Sequence, residues 1–297
     1  MHCLYYNYNC LYYLYYNPCS FRTKKLVQVC QERGVVCKEV DRAGLTDICM
    51  QMDRYKERVH QGVVADVSKL YHYPIDYTMP QVTQSSPVIH PRPDNSTPPV
   101  WLLLCTIKDP YNLGAILRTA YYLGVEKVIV TGPRCELSCT VSKCSAGTLE
   151  VCPVYAIRNA PLLLQSKVAE GWRVLAAVMP DDSSVLHSIS DDSPLLPSMP
   201  DDSSVMSSIP GDSLVLPSMS RGRSVLHSIP VDNLDLACPT ILVLGSEGDG
   251  IPPDVMSCVT KGVFISPGRG VNPQVDSLNV SVAAAIVIHK LCRIPAT

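Results

Sequence analysis

Two apolar runs, Trp101-Leu-Leu-Leu-Cys-Thr and Lys127-Val-Ile-Val, enclose one helix-shaped stretch. Asp109-Pro110 is a turn and helix-start signal. Behind it Leu113, Ile116, Leu117, Ala120 and Leu123 form one apolar stripe at helical spacing, and Gly124 ends the run. Strand, helix, strand is a βαβ unit, which commits the chain to an α/β fold with a parallel sheet. Asn112 and Arg118 lie off the stripe, near the first two turns. A helix over Ala160–Glu170 and a strand over Gly171-Trp-Arg-Val-Leu-Ala-Ala-Val continue the alternation.

The end of the chain repeats the theme. Ile241-Leu-Val-Leu is a short strand-type run that empties into Gly245-Ser-Glu-Gly-Asp-Gly250, where neither helix nor strand continues easily. From Val275 to Leu291 small polar residues give way to Val280, Ala284, Val287, Ile288 and Leu291 at helical spacing. Ser277 or Asn279 suits the N-cap, because its side-chain oxygen can accept from a free backbone N–H. A strand feeding a glycine loop, and a polar cap opening a helix, are two ways to offer backbone N–H groups to a ligand.

With 297 residues the chain has room for one large domain or two ordinary ones. Its net charge of −2 conceals an asymmetry. Residues 181–235 hold nine Asp, no Glu and two Arg, a charge of −7, so the remainder is +5 and suits a polyanionic partner. No apolar run reaches the roughly 18–20 residues of a membrane helix, and no membrane partner is expected. The densest cysteine set, Cys135, Cys139, Cys144 and Cys152, lacks the CxxC pairs of a zinc site. Reduced structural thiols and no metal are expected.

Residues 1–20 are Tyr, Asn, Leu and Cys in near-repetition, without the basic start of a signal peptide or the Arg-rich character of a presequence. They read as a poorly ordered start, with an aromatic RNA-stacking arm as the functional alternative. Residues 21–70 read as a small α/β unit: a helix over 24–33, a strand over 35–40, a helix over 45–56 and a strand over 60–65. Residues 71–99, rich in Pro, Ser, Thr and Tyr, read as a linker. A larger α/β domain then runs over 100–297. Inside it, residues 181–230 are five copies of a ten-residue unit. Recurrent Pro and Ser, and few apolar residues per copy, favour a disordered surface insertion over a buried solenoid. Such an insertion costs little closure entropy if it leaves and re-enters at one edge.

No GxxxxGK[ST] loop and no strand-linked GxGxxG occur, so P-loop and Rossmann sites lack support. Ser246 is no nucleophile elbow, since Leu244 stands where the first Gly belongs. Three segments remain: Asn112-x-Gly-x-x-x-Arg118, Gly245-Ser-Glu-Gly-x-Gly250 and Ser277-Leu-Asn-Val-Ser281. Taken singly each has a bland reading: a solvated Arg, a turn, a helix cap. Their joint occurrence in this order is specific. Together they resemble motifs one, two and three of the SpoU (TrmH-like) branch of the SPOUT RNA methyltransferases. Ser145-Ala-Gly-Thr-Leu-Glu150 resembles an internal loop of that family, and His60-Gln-Gly-Val-Val-Ala65 the end of its small L30e-like RNA-binding domain. The resemblance covers about 21–70, 100–180 and 236–293. Within the family the mitochondrial large-subunit rRNA 2′-O-methyltransferase type matches best.

The resemblance implies a SPOUT α/β knot, a trefoil-knotted parallel sheet, preceded by an L30e-like domain that lacks its first strand and helix. It implies a homodimer with sites at the subunit interface, S-adenosyl-L-methionine as cofactor, an rRNA substrate and a mitochondrial location. A tRNA substrate, or a non-catalytic RNA-binding or ribosome-assembly factor on the same fold, is the alternative. By the same resemblance Gly245, Gly250, Ile251, Ile265, Ser266 and Leu278 surround the cofactor. Arg118 contacts the target ribose or its phosphate, and Asn112 holds Arg118 or the ribose. Glu247 ties the motif-two loop to motif one, while Ser277 and Asn279 complete the pocket. A guanidinium pKa above about 12 makes orientation and charge stabilisation a more economical role for Arg118 than general base.

Overall fold

The computed structural model describes residues 11–18, 21–52, 60–75, 98–179, 226–235, 237–246, 248–268 and 277–292. Two sheets organise them. The smaller has strand order β2-β1-β3, built from β1 (Leu11–Tyr16), β2 (Val36–Glu39) and β3 (Val63–Val67), with helices α1 (Phe21–Glu32) and α2 (Arg42–Met52) between the strands in sequence. β1 lies in the middle, parallel to β2 and antiparallel to β3. For Leu11–Tyr16 this corrects the reading of a poorly ordered start, and with it the missing first strand; residues 1–10 lie outside the described residues. Tyr and Leu fit a pleated, half-buried surface well. Strand alternation sends Leu14, only 2% exposed, and Tyr16 toward Val27 and Cys30, leaving Tyr13 on the other face.

The larger sheet has eight strands in the order β4-β7-β6-β5-β10-β8-β11-β9, and every pairing in it is parallel. They are β4 (Tyr73–Ile75), β5 (Val100–Cys105), β6 (Lys127–Thr131), β7 (Val154–Ile157), β8 (Arg173–Ala177), β9 (Ser228–Pro230), β10 (Thr240–Leu244) and β11 (Lys261–Phe264). Central parallel strands are covered on both faces and therefore read as continuous apolar runs, as β5 and β10 do. Period two divides β5 between two cores. Val100, Leu102 and Leu104 face α3 (Pro110–Leu123), α4 (Cys139–Cys144) and α7 (Val280–Leu291). Trp101, Leu103 and Cys105 face α5 (Ala160–Ala169) and α6 (Pro253–Met256). The predicted stripe of α3 is the buried one: Leu113, Ile116, Leu117 and Ala120 are all essentially inaccessible. Full burial of each large aliphatic side chain contributes about 1.5–3 kcal/mol.

Two boundaries differ from the sequence reading. Tyr73–Ile75, inside the expected linker, pairs with β7 at one edge of the sheet; residues 76–97 lie outside the described residues. At the other edge Ser228–Pro230, the end of the fifth decapeptide copy, pairs with β11. Gly262 accepts that neighbour because a Cβ there would collide with the Ser228 side chain. Edge strands of three residues limit further strand addition. The rest of the insertion, 181–225, lies outside the described residues. Their Pro- and Ser-rich composition gives the expectation that deleting residues 181–225 leaves cooperative unfolding in place, whereas extending the deletion through Pro230 strips β11 of its outer partner and lowers the melting temperature. Thermal melts of the two deletions check this, and equal melting temperatures would refute the role of β9.

Burial also sets a response to alkali. Cys105 and Cys152 are fully buried, and burial pushes both thiols up from 9.0 to about 12. Between those values the unfolded chain has released both protons while the fold retains them. The native state then binds more protons, so stability falls as pH rises from about 9 to 12, at about 3 kcal/mol per pH unit for the two groups. Lys127, whose pKa is lowered by burial and by Lys167, works in the opposite sense with a single proton. Denaturant titrations between pH 8 and 11 should show the decline, and the double variant Cys105→Ala/Cys152→Ala should make it shallower, leaving the smaller part due to Cys135, whose thiol burial pushes up to about 11.

Candidate active site

Three loops converge at the C-terminal ends of the central strands, where parallel α/β sheets place their ligands. The first leaves β5. Thr106 adopts a left-handed φ of 58°, uncommon for a β-branched residue. Asp109 then caps α3, accepting from the N–H groups of Tyr111 and Asn112, with Pro110 at the first helical position. Gly114 has a packing reason: a Cβ would lie 2.6 Å from Cys144 Cβ and 3.0 Å from Ser145 N, so α3 crosses α4 only without a side chain there. The Ser145–Glu150 loop supports this crossing. Ser145 is fully buried, and its hydroxyl accepts from Leu149 N–H at 3.1 Å and donates to the Ser142 carbonyl at 3.0 Å.

The second loop leaves β10, the neighbour of β5. It folds back on itself: Ser246 N–H donates to the Gly250 carbonyl at 3.2 Å and Gly250 N–H to the Ser246 carbonyl at 3.0 Å. Asp249 N–H donates to Ser246 Oγ at 2.9 Å. Gly250 turns the chain with φ 66°. A Cβ on Gly245 would lie 2.5 Å from Gly250 O and 2.7 Å from Ile251 N, so glycine is required there. Gly248, Gly250 and, in the third loop after β11, Gly268 have no neighbour within 4 Å of where a Cβ would stand. Those backbones face open space. Ile251 and Ile265 pack half-buried on the two cores, while Ser266 is exposed.

Side chains join what the sequence separates. Asn279 Nδ2 donates to Asn112 Oδ1 at 3.0 Å, across 167 residues. Its Oδ1 meanwhile accepts from Ser281 N–H at 2.9 Å, making Asn279 the cap of α7 in place of Ser277. The Asn112 carbonyl is thus given to Asn279 and not to Arg118, and Asn112 is buried although it lies off the apolar stripe. Lys108 Nζ meets Asp249 Oδ2 at 3.0 Å, across 141 residues, and ties the glycine loop to the start of motif one. Neither residue was singled out by sequence; a charged pair on two separate loops leaves no periodic signal. Glu247, expected to make that tie, lies outside the described residues.

Arg118 is exposed on α3 and makes no hydrogen bond or ion pair among the described residues. Ser277 is exposed, and Leu278 is 49% exposed at the mouth of α7. Among the described residues no group of His, Cys, Asp and Glu could hold a metal, and no helix is long and apolar enough to cross a membrane.

Residues 99–196 and 218–289 match the SpoU rRNA Methylase family. The chain is similar to the mitochondrial rRNA methyltransferase 1 of Homo sapiens, 33% identical over 90% of this chain and 62% of that protein. It is 34% identical to the 23S rRNA (guanosine-2'-O-)-methyltransferase RlmB of Pseudomonas syringae pv. tomato, over 92% of this chain and 82% of that one. A crystal structure of an AdoMet-bound rRNA methyltransferase from Sinorhizobium meliloti shares the fold, with TM-score 0.57 and 18% identity over 95% of this chain and 79% of that chain. The chain spans 39 to 62% of the length of the mitochondrial relatives it matches.

Proposed function

Because the chain belongs to the SpoU rRNA methylase family, we propose that it transfers a methyl group from S-adenosylmethionine to the ribose 2′-oxygen of a nucleotide in rRNA. The observation that supports this best is the Asn112–Asn279 hydrogen bond, which closes motif one onto motif three beside the glycine loop. The cofactor fits the loops. Open glycines at 248, 250 and 268 expose backbone for close approach, and Ile251, Ile265 and half-exposed Leu278 offer apolar wall. When bound, S-adenosylmethionine supplies an activated methyl group.

The chain's own task is to present the acceptor. A ribose hydroxyl is a weak nucleophile, so alignment and stabilisation of its developing charge carry the rate. Arg118 does both as a planar cation. Asn279 holds α3 in register through Asn112, so Arg118 projects from a helix fixed to the cofactor loops. The α/β unit around β1 serves as the L30e-like RNA-binding domain. Similarity to the mitochondrial type supports a mitochondrial location.

The enzyme works as a homodimer. Val282 and Ile286 lie one turn apart on α7, with Leu278 just before its cap; they are 47, 37 and 49% exposed, an apolar strip along the helix that closes the site. Ala283 and Ala285 allow close approach. Sedimentation at micromolar concentration should give a dimer, and Val282→Asp/Ile286→Asp a monomer with little methylation. A fully active wild-type monomer would overturn this.

The decisive experiment incubates the protein with labelled S-adenosylmethionine and mitochondrial rRNA transcripts, then maps ribose methylation. Label at one ribose 2′-oxygen is expected. Cofactor binding without methylation of any rRNA would reject the reading and favour an assembly factor on the same fold.

A further inference from the structure

We propose that the cleft between Lys69–His72 and the loop after β6, Gly132–Leu137, holds an RNA nucleotide flanking the one whose ribose is methylated. This rests on the methyltransferase reading and adds a substrate subsite to it. The cleft has a volume of about 420 Å³, within the range of small-ligand sites and roomy enough for a nucleotide.

Its position follows from sheet order. β5 carries motif one, with β10 and its glycine loop on one side and β6 on the other. The β6 loop is fastened to motif one: Thr106 N–H donates to the Thr131 carbonyl at 3.1 Å, and Cys135 N–H to the Ile107 carbonyl at 3.0 Å. The cleft and the cofactor loops therefore flank motif one from opposite sides. An RNA strand entering the ribose site has the cleft as its continuation, without crossing the glycine loop.

The lining suits single-stranded RNA, which is held by cations along its backbone and aromatic faces under its bases. Tyr71 is 71% exposed, with the Lys69 ammonium 5.9 Å from its ring centroid. Arg134 is exposed on the facing loop. Glu136 lies 3.7 Å from Lys69, but both are solvated, and such a pair is worth little. Burial, and then the charge of Arg134, lower the pKa of His72, so the basic character of the cleft rests on Lys69 and Arg134. Arg158, exposed directly after β7, extends the basic edge by one more strand.

The test uses the full chain and a short rRNA transcript that the wild type methylates. Lys69→Ala/Arg134→Ala should weaken RNA binding at least tenfold at low salt. It should also reduce the salt-dependence slope by about 1.4, the value for two lost phosphate contacts on a single strand. Tyr71→Ala should weaken binding by about tenfold with little change in slope. In both variants KM for RNA rises, while kcat at saturating RNA and the affinity for S-adenosylmethionine stay at wild-type values. A photo-crosslink from the transcript should map to Tyr71. Unchanged RNA affinity and slope in the variants, beside a wild type that binds and methylates, would overturn the subsite alone. A wild type that neither binds nor methylates any rRNA would overturn the subsite and the methyltransferase reading together.

Discussion

Replacing Arg118 with alanine is expected to lower the single-turnover rate of methyl transfer by about two to three powers of ten, the loss that follows removal of one oriented charge-stabilising donor. The fold gives no reason for a stability cost. The side chain is exposed and makes no hydrogen bond or ion pair among the described residues, so its removal opens no cavity. Affinity for S-adenosylmethionine should hardly change, because the site proposed for it rests on the loops after β10 and β11. Arg118→Lys should rescue poorly, since an ammonium cannot reproduce a planar two-pronged contact. Calorimetric titration of the cofactor and single-turnover transfer to rRNA separate binding from chemistry. Equal rates for wild type and Arg118→Ala would reject the role.

Gly245→Ala should act on the other half of the site. The added Cβ would sit 2.5 Å from Gly250 O and 2.7 Å from Ile251 N, and these are backbone atoms that cannot swing aside. Either the Ser246–Gly250 bridge opens or β10 shifts, and the bridge is the weaker of the two, since β10 is buried between β5 and β8. The loop should therefore lose its closed shape while the sheet survives. Cofactor affinity is expected to fall at least about a hundredfold, with overpacking costing about 1–3 kcal/mol of stability. Cofactor titration alongside a thermal melt tests this. Wild-type affinity would show that the closed loop is not the binding form. A comparable change at Gly248, where a Cβ meets nothing within 4 Å, should leave the melting temperature untouched and serves as the control.

The sequence by itself determined the elements and the family. The βαβ pattern from Trp101 to Val130, the buried stripe of α3 and the glycine loop after β10 stand in the structure as read. So does the α/β fold class, in which this chain resembles a solved AdoMet-bound methyltransferase. These features are local. A strand or helix declares itself within a few residues, because side-chain period and capping chemistry are set by near neighbours. Residues 269–276, between β11 and α7, lie outside the described residues, as does Glu247.

Tertiary structure decided the rest. That Leu11–Tyr16 is a central strand depended on Val36–Glu39 and Val63–Val67 arriving on either side; alone, its repetitive composition looked unlike a core. Its β-forming residues were a legible signal that low complexity obscured. Ser228–Pro230 likewise became a strand because Lys261–Phe264 offered it an edge. Within the site, sequence named Asn112 and Asn279 but not that they bond each other, and it missed Lys108 and Asp249 altogether. Those contacts span 167 and 141 residues. Such pairings carry no period and no spacing rule. The Lys108–Asp249 pair exists only once parallel strands have brought the C-terminal ends of β5 and β10 side by side, about 4.8 Å apart, and the Asn112–Asn279 bond only once α7 has packed against α3.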